Sequence, residues 1–214
     1  ALLKKADASS SQLKGLADKK ILVISKQSVD RLPLQSKQVK IEFTLSPVQT
    51  IAHEKLVKSL QEKEVCLLHG VTSSGKTQVY IKLIEAQVLA GKQVLYLLPE
   101  IALTAQIIRR LQQHFGGYIA IYHSRFNPNE RVELWNKVKK GEIRVVLGAR
   151  SALFLPYSDL SLIIIDEEQD ASFKQQDPAP RYNARDAALY YARMCNAKVV
   201  LGSATPSIET YAQA

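Results

Sequence analysis

Cysteine is scarce in this sequence, because the 214 residues contain only Cys66 and Cys195, which lie far apart. No C-x-x-C pair or Cys/His group could supply four zinc ligands, so we expect two reduced thiols and no structural zinc site. The sequence also lacks the ~20 consecutive apolar residues of a membrane-spanning helix and the pattern of a signal peptide. These absences favour a cytoplasmic protein that contacts no membrane.

Positive charge is in excess, with 29 Lys and Arg residues against 20 Asp and Glu residues and a net charge of +9. The composition is 46% hydrophobic and 23% charged, which is typical of a soluble globular protein. A basic surplus favours a polyanionic partner, although it does not by itself separate nucleic acid from an acidic membrane surface. The length allows one sizeable domain with a small appendage.

Short apolar runs rich in β-forming residues alternate with helix-length segments from about residue 60 onward. This pattern is typical of βαβ units with a parallel sheet. The runs are residues 65–69, 93–98, 118–122, 143–147, 160–165 and 198–201. We therefore predict a doubly wound α/β domain, with its ligand site where the strands end at their carboxyl edge.

The first 38 residues follow a different pattern. Capping residues at 8–11 precede Leu13 and Leu16, which predicts a short amphipathic helix. Residues 21–24 then predict a strand, and a polar turn with Pro33 follows. This order suits the end of a winged-helix unit, and an N-terminal linker that docks on the main domain is the alternative.

Residues 70–77 match the phosphate-binding pattern G-x-x-x-x-G-K-[ST], directly after one predicted strand and before a helix-length segment. Backbone N–H groups of such a loop cradle phosphate oxygens, Lys76 reaches the β- and γ-phosphates, and the Thr77 hydroxyl ligates Mg²⁺. The alternative is a chance match in a tight turn. The remaining candidate nucleotide contacts in the loop are Gly70, Thr72, Ser73, Ser74 and Gly75.

Two carboxylates follow the apolar run at residues 160–165. Asp166 is predicted to hold the magnesium, directly or through water, and Glu167 to orient and deprotonate the water that attacks the γ-phosphate. Solvated loop charges are the alternative. After the last apolar run, Ser203 and Thr205 place two hydroxyl groups at the same predicted edge, where they could sense the phosphate site.

Three segments, in this order, resemble motifs I, II and III of superfamily 2 helicases. They are the P-loop at residues 70–77, the D-E-x-x segment at residues 166–169 and the S-A-T segment at residues 203–205. The resemblance narrows to the bacterial primosomal replication-restart helicases, the PriA family. The segments that carry this narrower resemblance are residues 97–104, 122–125, 148–154, 166–176 and 181–186. The resemblance implies a first RecA-like helicase lobe at residues 39–214, after the end of a winged-helix domain at residues 1–38. It also implies an ATP-dependent, 3′-to-5′ DNA helicase that acts in replication restart and primosome assembly.

The same resemblance assigns further residues. Gln49 matches the glutamine that reads adenine, and a loop from Phe173 to Tyr182 matches an aromatic-rich segment that links DNA contact to hydrolysis. Aromatic faces stack on unpaired bases and cations attract phosphates, although Phe173 and Tyr182 could instead pack under the loop. The predicted DNA contacts are Thr104, Arg125, Arg150, Ser151, Phe173, Lys174, Arg181 and Tyr182.

Two positions depart from the family pattern. Gln169 stands where a histidine is usual, and its amide could still couple the acids to Ser203 or Thr205 by hydrogen bonds. Ser73 stands where glycine is common, which costs backbone freedom but leaves Gly75 in place.

Several parts of the family have no counterpart in these 214 residues: the second motor lobe, its arginine finger, the zinc-binding cysteines and the N-terminal domain that binds DNA ends. The chain therefore reads as an excised piece. We expect a monomer that binds nucleotide, hydrolyses it poorly and does not unwind DNA, since an arginine finger is worth about 10³ to 10⁵ in rate. Implied partners are single-stranded and forked DNA, single-stranded-DNA-binding protein and primosomal proteins.

Two other classes fit part of the pattern. A P-loop kinase or GTPase fits the first motif alone, but the N-K-x-D segment that reads guanine is missing. A non-catalytic DNA-binding or primosome scaffold with an ATP fold is the second, and the presence of Lys76, Asp166 and Glu167 argues against it.

Overall fold

A computed structural model of the chain describes residues 9–22, 43–123 and 126–213. The chain divides into two units, residues 1–32 and residues 33–214. The described part of the first unit contains helix α1 (Ser10–Asp18), which confirms the predicted helix. Ser9 and Gln12 begin it with a reciprocal capping box, which satisfies two otherwise unpaired N–H groups.

The strand predicted at residues 21–24 is only partly within the described residues. Ile21 and Leu22 form a bend, and the next two residues lie outside the described part. The winged-helix assignment of residues 1–38 and its boundary therefore stay predictions.

A six-stranded parallel sheet forms the centre of the described part of the second unit, in the order β1-β6-β5-β2-β4-β3. This confirms the predicted fold class and all six apolar runs, whose ends differ from prediction by at most two residues. The strands are β1 (Val65–His69), β2 (Gln93–Leu97), β3 (Ile119–Tyr122), β4 (Val145–Gly148), β5 (Leu160–Asp166) and β6 (Lys198–Ser203).

Helices connect the strands and cover the sheet. In the described residues of this unit the α-helices are α2 (Pro47–Glu62), α3 (Lys76–Leu89), α4 (Ala105–Phe115), α5 (Pro128–Lys139), α6 (Ala184–Cys195) and α7 (Ile208–Gln213). Both α2 and α5 begin with a capping box followed by proline, a strong start signal. No helix among the described residues is long and apolar enough to cross a bilayer.

The core lies on both faces of the central strands. Tyr96 of β2 and Ile164 of β5 are fully buried in a cluster with residues of α3 and α4. Because side chains alternate along a strand, Ile163 and Ile165 face the other side, where α6 contacts β5 and β6. Burial on both faces explains why these strands read as continuous apolar runs.

Candidate functional site

Three sequence segments meet at the carboxyl edge of neighbouring strands β1, β6 and β5. Asp166 at the end of β5 lies opposite Gly202 of β6. The backbone N–H of Gly70, which follows β1, donates to the Ser203 carbonyl at 3.0 Å, and the N–H of Glu168 donates to the Gly202 carbonyl at 3.1 Å. The P-loop (residues 70–77), the acidic turn (residues 166–169) and the S-A-T segment (residues 203–205) are therefore neighbours at one edge.

The loop before α3 has the backbone shape of an anion cradle. Ser73 (φ 62°) and Gly75 (φ 83°) are both left-handed. Glycine is needed at position 75 for two reasons: its φ is positive, and a Cβ there would lie 2.1 Å from the Gln49 amide nitrogen. Helix α3 starts at Lys76 without a side-chain cap, so N–H groups of its first turn remain for a phosphate.

Lys76 reaches back across the loop. Its Nζ donates to the Gly70 carbonyl at 2.7 Å and lies 3.4 Å from the Val71 carbonyl. A lysine ammonium beside a loop of backbone N–H groups can reach the phosphates of a bound nucleotide. Lys76 and Thr77 begin α3 directly after this loop, and their contact with a nucleotide stays a prediction.

Asp166 is a buried carboxylate with several donors. Its Oδ1 accepts from the Tyr80 hydroxyl at 3.1 Å and the Glu167 N–H at 3.2 Å, and its Oδ2 accepts from the Tyr96 hydroxyl at 3.1 Å. Burial raises the pKa of Asp166, and the neighbouring Glu167 charge adds to the rise. The two tyrosine hydrogen bonds and the Lys76 charge oppose it. A cation beside this carboxylate would favour its ionised form.

The donor set around Asp166 fits magnesium. The Thr77 side chain lies near enough to the Tyr96 hydroxyl to oppose the rise in its pKa, and the same hydroxyl donates to Asp166, so both predicted metal ligands lie near one phenol. A hydroxyl and a carboxylate oxygen are hard ligands, and Mg²⁺ is usually held by one or two carboxylates together with substrate phosphates.

A chain of hydrogen bonds connects Glu167 to the S-A-T segment. Gln169 Nε2 donates to Glu167 Oε2 at 2.9 Å, and Ser203 Oγ donates to Gln169 Oε1 at 2.5 Å. The Thr205 N–H donates to Ser203 Oγ at 2.9 Å. An amide that donates on one side and accepts on the other makes this link without a titratable group, as anticipated for Gln169.

Gln49 lies against the P-loop. Its Nε2 donates to Gln78 Oε1 at 2.6 Å and to the Ser74 carbonyl at 3.3 Å, while its Oε1 accepts from the Ser46 N–H at 3.0 Å. The side chain is thus at the rim of the phosphate cradle, and its contact with adenine stays a prediction.

The candidate DNA residues that follow β2 and β4 differ in exposure. Thr104 is exposed and caps α4, accepting from the Ile107 N–H at 3.4 Å. Arg150 is half-buried and donates to the carbonyls of Ser172 and Lys174, at 2.9 and 3.2 Å. Arg150 therefore contacts the start of the aromatic-rich loop, which runs from Phe173 to Tyr182. Ser151 beside it is also half-buried. Arg125 lies outside the described residues.

The aromatic-rich loop closes on itself through backbone and side-chain contacts. Lys174 pairs with Asn183 in a single antiparallel bridge, and its Nζ donates to the Arg181 carbonyl at 2.6 Å. Lys174 and Arg181 are exposed, as phosphate contacts must be.

Phe173 requires a correction. Only 1% of its surface is exposed, so its ring has no open face for a base, and the alternative of packing under the loop describes this residue. Tyr182 is half-buried, with its ring edge to face with Phe154 at 5.0 Å. Phe154, which sequence reasoning did not single out, is 57% exposed and offers an aromatic face in the segment that contains Arg150.

Glu168 is a second buried carboxylate in the acidic turn, and it also escaped sequence reasoning. Its side chain is 0% exposed, and its Oε2 accepts from Arg185 at 3.0 Å and from Thr210 at 3.0 Å. Its Oε1 accepts from the Ser207 N–H at 2.9 Å. The acidic turn is thereby tied to the start of α6 and to α7. The only available signal was the position beside Glu167, which resembles an ordinary solvated acid.

Comparison with known proteins agrees with this geometry. The model of the DEAD/DEAH box helicase family matches residues 46–214. The replication restart protein PriA of Bacillus subtilis (strain 168) is 43% identical over 100% of the chain, which covers 27% of that protein. PriA of Chlamydia trachomatis serovar D is 38% identical over 100% of the chain and 29% of that protein. The chain thus spans less than a third of the length of these relatives.

A solved structure shares the fold. RecG bound to a three-way DNA junction superposes with a TM-score of 0.59 at 25% identity, covering 81% of this chain and 23% of that one. The resemblance to the replication-restart helicases is confirmed by the sequence relatives. The chain therefore belongs to the DEAD/DEAH box helicase family.

Proposed function

We propose that this chain binds ATP with magnesium between the P-loop and the acidic turn, as the ATP-binding lobe of a 3′-to-5′ DNA helicase that acts in replication restart and primosome assembly. One observation carries the proposal. Lys76 and the carboxylates Asp166 and Glu167 lie on segments that the sheet brings to a single edge, joined by the hydrogen bond from Gly70 to Ser203.

Each site residue has a distinct task in this proposal. Lys76 and the N–H groups of the loop bind the β- and γ-phosphates, and Thr77 and Asp166 hold the metal. Magnesium, when bound, neutralises charge on the phosphate oxygens. Glu167 accepts a proton from the attacking water, and the hydrogen bond from Gln169 fixes the direction of its carboxylate.

The DNA path proposed for this lobe runs over Thr104, Arg150 and the exposed cations of the aromatic-rich loop. Support comes from the net charge of +9 and from Arg150, which joins the two candidate segments through its contacts with Ser172 and Lys174. Single-stranded and forked DNA are the proposed ligands. From the resemblance to the replication-restart helicases we further propose single-stranded-DNA-binding protein and primosomal proteins as protein partners. A monomeric state and a cytoplasmic location are also part of the proposal.

The chain alone is proposed to bind nucleotide, to hydrolyse it weakly and to leave duplex DNA intact. It spans less than a third of its PriA relatives. In P-loop enzymes an arginine from outside the nucleotide-binding core supplies about 10³ to 10⁵ in rate.

A titration of the chain with ATP and with GTP, in Mg²⁺ and with or without single-stranded DNA, tests the proposal. We expect ATP to bind more tightly than GTP. Lys76→Ala is expected to weaken ATP at least about tenfold, because it removes a charge-assisted hydrogen bond worth about 1.5–3 kcal/mol. Lys92→Ala is the matched control, since Lys92 pairs with Asp159 at the start of β2, on the opposite edge. Equal binding of ATP and GTP, or no effect of Lys76→Ala, would reject the proposal.

A further inference from the structure

Two buried tyrosines each donate a hydrogen bond to a different oxygen of the Asp166 carboxylate. The Tyr80 hydroxyl of α3 donates to Oδ1 and the Tyr96 hydroxyl of β2 donates to Oδ2, each at 3.1 Å. Both tyrosines are fully buried, and their rings pack edge to face with centroids 5.6 Å apart. Two phenols aimed at one carboxylate fix the plane in which that carboxylate lies.

The donors leave one position on the carboxylate open. Two carboxylate oxygens offer about four lone-pair sites. Tyr80 and the Glu167 N–H use both sites of Oδ1, whereas Tyr96 uses one site of Oδ2. A cation, or a water that the cation carries, can therefore contact Asp166 through Oδ2 only.

Strand β6 has a gap that admits the Tyr80 hydroxyl. A Cβ at Gly202 would lie 1.7 Å from this hydroxyl and 3.0 Å from Asp166 Oδ1. Any larger residue at this position would displace the phenol. The contact between Tyr80 and Asp166 therefore requires a glycine at position 202 of β6.

We propose that Tyr80 and Tyr96 are positioning residues of the magnesium site, which restrict Asp166 to a one-oxygen contact and so favour magnesium over calcium. Magnesium keeps several waters and requires near-octahedral geometry, whereas calcium takes 6–8 oxygens and accepts carboxylates in the two-oxygen mode. Freeing the carboxylate removes the restriction. The inference rests on the proposed nucleotide function.

The test measures the affinity of ADP by calorimetry in EDTA, in Mg²⁺ and in Ca²⁺, for the unaltered chain and for Tyr80→Phe and Tyr96→Phe. Loss of a partner that orients a metal ligand typically costs 10–100-fold in metal affinity. We expect Mg²⁺ to increase the affinity for ADP about tenfold less in each variant than in the unaltered chain. The affinity for ADP in EDTA is expected to stay constant. The ADP affinity in Ca²⁺, divided by the ADP affinity in Mg²⁺, is expected to increase.

Tyr157→Phe is the matched control. It also removes one hydroxyl, that of the half-buried Tyr157, which donates to the Ala152 carbonyl at 2.9 Å and is not hydrogen-bonded to the acidic turn. This variant should keep the affinities of the unaltered chain in all three solutions. Thermal unfolding of each variant verifies that it is folded, and Gly202→Ala, which displaces Tyr80 from β6, gives a second route to the same test.

The outcomes separate the inference from the function on which it rests. If the unaltered chain binds ADP equally in EDTA and in Mg²⁺, the proposed magnesium-nucleotide site fails. If the unaltered chain depends on Mg²⁺ and the folded variants keep both the full dependence and the original Ca²⁺ to Mg²⁺ ratio, only the role of the tyrosines fails.

Discussion

Removing the buried Glu168 carboxylate is predicted to destabilise the nucleotide-binding unit strongly. In Glu168→Ala, Arg185 loses its buried partner, and Thr210 and the Ser207 N–H lose their acceptor. Leaving one charge of a buried pair uncompensated costs about 3–5 kcal/mol. Because the Arg185 side chain keeps 21% of its exposure, water compensates part of this, and we expect a loss of about 3 kcal/mol in the free energy of unfolding.

Thermal and urea denaturation of the variants measure this loss. For a unit of this size about 1 kcal/mol lowers the melting temperature by 2–4 °C, so Glu168→Ala should melt about 6–12 °C lower. Glu142→Ala is the control, because its side chain is 42% exposed and its pairing with Lys140 is 4.0 Å long. We expect the control to change stability by less than about 0.5 kcal/mol.

A double variant separates the ion pair from general packing damage. Replacement of both members of a buried pair by apolar residues is often neutral. The double variant Glu168→Leu/Arg185→Leu should therefore lose clearly less free energy of unfolding than the sum of the losses in Glu168→Leu and in Arg185→Leu. A loss below about 1 kcal/mol for Glu168→Ala, or strictly additive losses in the double variant, would refute the reasoning.

Three further predictions concern the candidate site. In a protein that carries both motor lobes, Glu167→Gln should abolish most ATP hydrolysis while nucleotide affinity is kept, and normal turnover would remove Glu167 as the base. In the same protein Arg181→Ala should reduce the stimulation of hydrolysis by single-stranded DNA. Phe173→Ala should instead lower the melting temperature, because removing a buried phenyl ring costs about 3–5 kcal/mol in the free energy of unfolding. Burial raises the pKa of Asp166, so its ionised form lowers stability once the pH rises through that raised value. Asp166→Asn should therefore stabilise the nucleotide-free chain at neutral pH, with the gain fading as the pH falls towards 3.8 in denaturation curves.

The parts of the account that sequence reasoning predicted depend on local patterns. The strands were predictable because burial on both faces makes a strand such as β5 continuously apolar. The P-loop was predictable because it combines a strand, a glycine turn and a helix start within residues 65–77.

Other parts depend on packing that no local pattern reports. Tyr80 and Tyr96 occupy ordinary core positions of a helix and a strand, and only the folded sheet shows that their hydroxyls meet at Asp166. Phe173 was expected at the surface, but its ring turns into the core. Whether an aromatic or acidic side chain in a turn faces water or the interior is decided by the elements that pack against it, as Glu168 also shows.

A crystal structure of the chain with Mg²⁺ and a non-hydrolysable ATP analogue tests the central claim most directly. The account predicts the phosphates between the P-loop and the acidic turn, with Lys76 on the terminal phosphates and the metal beside Thr77 and Asp166. Nucleotide bound instead in the 380 Å³ cavity lined by Tyr190 and Arg193, with the P-loop unchanged, would contradict it.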